Sequence, residues 1–245
     1  MTNPLYHPPR EILLDYADGS LGEPAALVIA THLAFCPACR HQVADLEAIG
    51  GALLEEECLN PVSDDCLRSL MARLDEPALE ASKPVALRGV RPCSALPPHG
   101  LADLPKPLAC LPEPLRSYLE ASLAETPWQP PNSRPRNSGA RDAGGWEIDL
   151  RVGRPPVRTR LIGVVGGGVM PRPSPIGMNL NLVLAGGYHD PRGTFRRGDL
   201  VLDDPGLDYS PAADNGEECV YLCVTDASLR LSGVLSRSLN PFVAL

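Results

Sequence analysis

His32-x3-Cys36-x2-Cys39, with His7 upstream, places two imidazoles and two thiols in one short stretch of chain. This donor set is what a closed tetrahedral zinc site requires, with nitrogen and sulfur ligands and no position left for substrate. If all four bind, metal affinity becomes folding free energy for a segment too small to be robust alone. A closed site argues against chemistry at the metal and for a module that binds a partner. The plainer alternative is two buried structural cysteines and two surface histidines. His41, past Cys39 on the same predicted helix, reads as solvated rather than as a ligand.

The elements that must position these donors are helical. His32 and Cys36 stand four apart, so a helix puts both on one face. Pro37 fits a first helical position, which makes Cys36 to Cys39 a junction between two helices. Thiolates there gain from unpaired N–H groups at the helix start. His7 would return from the N-terminal segment to close the tetrahedron. A first helix over Pro8 to Ala17, ended at Gly19, is followed by helices over Pro24 to Cys36 and Pro37 to about Glu57. Ser63-Asp64-Asp65 starts a fourth, whose Leu67, Leu70, Met71 and Leu74 form one apolar stripe.

Thirteen prolines between Pro77 and Pro135 exclude a continuous helix or a central strand there. The stretch reads as an extended linker carrying one helix, Glu113 to Glu125, followed by a polar loop over 132–143. From Trp146 the period switches to two, with Trp146, Ile148 and Leu150 alternating against charged residues. Short apolar runs follow at Leu161–Val165, Leu180–Leu184, Leu200–Leu202, Cys219–Val224 and Leu229–Leu235, separated by turn signals such as Gly186-Gly187 and Asn215-Gly216. Many short strands with Gly/Pro turns mean a sandwich or barrel. Gly166-Gly167-Gly168 lacks the Lys-Ser/Thr of a phosphate loop.

Charge is uneven. Residues 1–80 hold four arginines against fourteen acidic side chains, a net of −10, in a chain of net −8. Such a head repels nucleic acid and suits a basic protein partner. The N-terminus lacks an apolar signal-peptide core, and the longest apolar run, Leu161 to Met170, carries four glycines. No membrane span is expected. Eight cysteines without an export signal read as reduced thiols, some of them metal-bound, in the cytoplasm.

His7 with Tyr16, Leu27 to Leu33 with His32, and Cys36-x2-Cys39-Arg40 resemble the ChrR-type zinc anti-sigma factors. Leu182-Val183-Leu184-x-Gly186, Gly198-Asp199 and Val224-Thr225-Asp226-Ala227-x-Leu229-Arg230 are similar to that family's cupin half. The resemblance implies an α + β multidomain chain in three parts. Residues 1–80 would be a zinc-binding anti-sigma helical domain, 81–140 a Pro-rich linker, and 141–245 a cupin-like β-barrel. It implies one structural Zn2+ on His7, His32, Cys36 and Cys39. It also implies a partner, an extracytoplasmic-function sigma factor of the sigma-E type, held from RNA polymerase with no direct contact to nucleic acid and no enzymatic activity. The Leu67, Leu70, Met71, Leu74 stripe is then either internal core or the helix surface that sigma grips.

The cupin half departs from the family pattern. Alignment on Gly177 and the Leu182–Leu184 strand puts Pro173, Pro175 and Asn179 where metal-binding relatives carry His-x-His-x3-Glu, and Tyr209 at the later His. A barrel without metal is expected, which leaves an organic ligand or simple protection of the sigma contact as its role. Cys219 and Cys223, four apart on a strand and so ~13 Å from each other, cannot bridge and read as buried small side chains. Cys58, Cys66, Cys93 and Cys110 lie outside the zinc set, with Cys93 and Cys110 the most open to oxidation. Oxidation of Cys36 and Cys39 with loss of zinc is one route by which sigma would be freed. The alternatives are a cupin-fold oxygenase or isomerase with an accessory zinc domain, and a DNA-binding regulator using the arginines between 134 and 160.

Overall fold

The computed structural model describes residues 3–57, 63–74, 111–125, 145–170, 178–203 and 211–226. The expected strand at Leu229–Leu235, the loop over 132–143, and Cys58, Cys93 and Cys110 lie outside the described residues.

The N-terminal helices form where their caps and breakers predict. Helix α1 (Arg10–Ala17) ends before Gly19, whose φ of +75° suits glycine. Helix α2 (Glu23–Phe35) begins with a proline in its first turn and is apolar nearly all round, with Leu27, Val28 and Ile29 buried. A helix of that kind must be covered on most sides. Helix α3 (Pro37–Glu56) starts at the next proline, but only its first half enters the core, through Cys39 and Val43. Beyond Leu46 its side chains are exposed. Helix α4 (Asp64–Leu74) is exposed at every described side chain from Asp65 to Arg73. Helix α5 (Leu115–Glu125) buries Leu115 and Leu119 fully.

Among the described residues, eight strands make two facing antiparallel sheets. The larger runs β1 (Trp146–Leu150), β2 (Arg158–Val164), β8 (Cys219–Asp226), β3 (Met178–Ala185), β6 (Leu200–Asp203) in that spatial order. The smaller is β5 (Gly193–Arg196), β4 (Gly187–Asp190), β7 (Ala212–Ala213). Strand β8 shows why its sequence is apolar without alternation. Val220, Leu222 and Val224 pack outward beneath the helices, while Cys219, Tyr221 and Cys223 point between the sheets. Both faces are buried, so both must be apolar. The outward face shares one apolar cluster with Leu27, Val28, Ile29, Leu115 and Leu119. Helices α1, α2, α5 and the first half of α3 therefore share a core with the cupin-like pair of sheets, with α2 lying against β3 and β8 and α5 against β1.

The structure adds three strands that the apolar runs did not reveal: β4, β5 and β7. Gly186 and Gly187, read as a turn between strands, instead carry the chain from the large sheet into the small one. Gly186 adopts φ +63° and packs against the Glu218 backbone, so any Cβ there would collide.

Candidate metal centre

The four expected donors converge. His7, His32, Cys36 and Cys39 each offer one ligand atom, and these atoms all lie within 4.8 Å of one another. His7 Nδ1 stands 3.3 Å from Cys36 Sγ and 3.4 Å from Cys39 Sγ, and His32 Nε2 stands 3.3 Å from Cys39 Sγ. Zn–S and Zn–N bonds of ordinary length span a tetrahedral edge of about 3.6 Å between sulfur and nitrogen. The two imidazoles meet edge to face, with centroids 5.8 Å apart.

Each donor has a local reason for its place. Cys36 is both the C-cap of α2 and the N-cap of α3, in an extended conformation, and its sulfur accepts the Cys39 N–H at 3.4 Å. The Cys36 side chain thus caps a helix and faces the centre at once. Cys39 follows in the first turn of α3. His32 comes from the last turn of α2 and is completely buried. His7 comes from the extended arm before α1 and is the exposed member of the set.

The chemistry of the set fits zinc. Burial lowers the His32 pKa to about 4, against the opposing pull of the Gly198 carbonyl, so the ring is neutral at physiological pH. The Gly198 carbonyl lies 2.8 Å from Nδ1, which must therefore carry the proton. Nε2 is left with its lone pair aimed at the sulfurs, the tautomer a metal needs. Burial and the neighbouring Cys36 thiol push Cys39 up to about 12. Ionising the buried Cys39 thiol calls for a compensating cation. A dication at the centre of the four donors supplies it. The four donors are the number a structural tetrahedral zinc site takes.

His41 is exposed on α3, away from the cluster. Leu67, Leu70 and Met71 are exposed at 64%, 54% and 55%, while the side chain of Leu74 lies outside the described residues. The stripe is therefore not core at those three positions. The pattern also missed exposed Ile49, Leu53 and Leu54 on the far half of α3, which extend the same kind of surface. Ile49 and Leu53 stand four apart, but Gly50 and Gly51 between them interrupt the apolar pattern. In the barrel, Asn179 lies on β3 and accepts a hydrogen bond from Thr225, whereas Pro173, Pro175 and Tyr209 lie outside the described residues. Cys219 and Cys223 are buried between the sheets, and burial pushes the Cys219 thiol up to about 12 and Cys223 upward as well. Arg160, one of the arginines of the basic cluster, is engaged with Glu147 at 3.1 Å.

A small helical module with four converging candidate metal donors, packed on a cupin-like domain, is the plan of a class of two-part regulators. Comparison with known proteins places the chain within that class. A family model described as "Putative zinc-finger" matches residues 10–40, which hold three of the four donors. The curated anti-sigma-E factor ChrR of Cereibacter sphaeroides is 32% identical over 241 residues, covering 97% of each chain. The crystal structure of Rhodobacter sphaeroides SigE in complex with the anti-sigma ChrR superposes with a TM-score of 0.61 at 29% identity, over 90% of this chain and 98% of that one. The chain belongs to the ChrR family of anti-sigma factors. No helix among the described residues is long and apolar enough to cross a membrane.

Proposed function

We propose that this protein is a cytoplasmic zinc anti-sigma factor that sequesters an extracytoplasmic-function sigma factor of the sigma-E type. His7, His32, Cys36 and Cys39 hold one structural zinc ion, which fixes the α2–α3 junction. The surface offered to sigma is the outer half of α3 together with α4, through Leu67, Leu70, Met71 and Leu74, extended by Ile49, Leu53 and Leu54.

One observation carries this reading. An apolar stripe stands in solvent on α4 and on the outer half of α3, the helix that starts at the junction where the four candidate donors converge. Exposed apolar stripes of this kind mark helix-in-groove binding surfaces. The acidic balance of residues 1–80 matches a basic, DNA-binding partner and disfavours DNA itself. Holding sigma is an equilibrium and needs no catalytic step, which agrees with a closed metal site.

The test is co-purification of the full chain with the sigma-E-type factor of its own cell, with zinc quantified in the complex. The expected result is one zinc per heterodimer and no sigma-directed transcription while the complex persists. A chain that leaves sigma fully active at equimolar ratio contradicts the proposal.

A further inference from the structure

The four donors are held by two different parts of the molecule. Cys36 and Cys39 belong to the α2–α3 junction. The two imidazoles are instead fixed by one turn of the barrel, between β5 and β6. His32 Nδ1 donates to the carbonyl of Gly198 at 2.8 Å. Asp199, 1% exposed, accepts at Oδ1 from Leu5 N–H at 2.6 Å and Tyr6 N–H at 3.1 Å. Leu200 N–H then donates to the Tyr6 carbonyl at 3.1 Å, so the residue before His7 is pinned on both sides of its backbone. The Tyr6 ring packs on Phe195 at a centroid distance of 4.5 Å, and Phe195 in turn on Tyr188 at 4.8 Å, between the two sheets.

The turn is itself rigid. Asp199 Oδ2 accepts from Arg196 N–H at 2.7 Å, and Gly198 and Asp199 exchange backbone hydrogen bonds with Val183 of β3. Gly198 adopts φ +92°, and a Cβ there would stand 2.8 Å from Pro4 and 3.1 Å from Phe35. Arm, α2 terminus and barrel turn are therefore in close contact at one point.

We propose that the Arg196–Leu200 turn is a working part of the metal centre, with Asp199 the positioning residue for His7 and the Gly198 carbonyl the orienting partner of His32. The barrel thereby sets how tightly the helical module keeps its zinc. Any event between the sheets that displaces Phe195 or Tyr6 withdraws the His7 imidazole and leaves His32 and the two sulfurs in place. This rests on reading the cluster as the zinc site. Partners that orient metal-bound histidines alter metal affinity by about 10- to 100-fold when removed.

The test uses the full chain loaded with cobalt(II), whose absorption reports the ligand set, and zinc affinity from chelator competition. Asp199→Ala and Tyr6→Ala are expected to keep the sulfur-to-cobalt bands, lose part of the imidazole ligand field, and bind zinc 10- to 100-fold more weakly. Asp199→Asn, which keeps one oxygen for Leu5 and Tyr6 but sets its NH2 against the Arg196 N–H, is expected to recover part of that loss. Tyr6→Ala decides the matter if Asp199→Ala does not fold. Variants that are folded by circular dichroism and show the parental spectrum and affinity overturn the proposal. A parental chain that takes up no stoichiometric cobalt overturns the zinc reading beneath it.

Discussion

His7 Nδ1 lies 3.3 Å from Cys36 Sγ, although 29 positions of sequence separate them. Nothing local brings those residues together; the arm and the helix junction must both be in place. His32→Ala and Cys36→Ser each remove one of four donors from a closed set. Metal analysis of either purified variant is expected to show less than one tenth of the parental zinc. The unfolding midpoint should fall in step, because binding energy here is folding energy. Full zinc occupancy in both variants would contradict the assignment.

The α3–α4 surface makes a separable prediction. Leu70 is more than half exposed, so Leu70→Glu is expected to change thermal stability by under about 0.5 kcal/mol. A central apolar anchor in an interface is worth about 2 kcal/mol, so affinity for sigma should fall roughly 30-fold. Isothermal titration with purified sigma, beside a melting curve, measures both. A large stability loss with unchanged affinity would place the stripe in a core instead.

Thiol reactivity should follow burial. Cys219, with its pKa pushed up to about 12, and Cys223, raised by complete burial between the sheets, stay as protonated thiols at pH 8. Cys66 is exposed on α4. Iodoacetamide labelling of the native protein, read by peptide mass spectrometry, should modify Cys66 while leaving Cys219 and Cys223 untouched until the chain is unfolded. Labelling of Cys223 at the rate of Cys66 would show that the barrel interior is open.

Gly163 of β2 faces Trp146 of β1 across the sheet, and a Cβ at Gly163 would lie 2.2 Å from the indole ring. The ring cannot simply swing away, because its N–H donates to Glu218. Gly163→Ala is expected to cost about 1–3 kcal/mol through overpacking. Urea unfolding of the full chain checks it, and a neutral result would mean that the indole is loosely held.

Much of this was legible because the signals were local. Three of the four donors sit within one helix turn and its junction, where Pro37 forces a break and spacing alone predicts convergence. The alternation at Trp146 and the paired apolar faces of Cys219–Val224 likewise announce strands. Strands β4 and β5 were not legible, because at four residues they offer too few periods and, unlike Leu200–Leu202 of β6, no apolar run. Asp190-Pro191-Arg192-Gly193 was their available turn signal. The linker prolines hid that Leu115 and Leu119 of α5 enter the core. Least legible was the hold of the barrel on the imidazoles. It runs through the Gly198 carbonyl and the Leu5 and Tyr6 amides, and backbone groups carry no residue signature.

The central claim is that zinc shapes the surface that grips sigma. It is tested most directly by titrating purified sigma into the full chain with zinc bound, and again after the metal is stripped under reducing conditions and restored. The account predicts tight one-to-one binding with zinc, loss of at least 100-fold in affinity without it, and recovery when zinc is returned. Equal affinity of the stripped and loaded protein would contradict it.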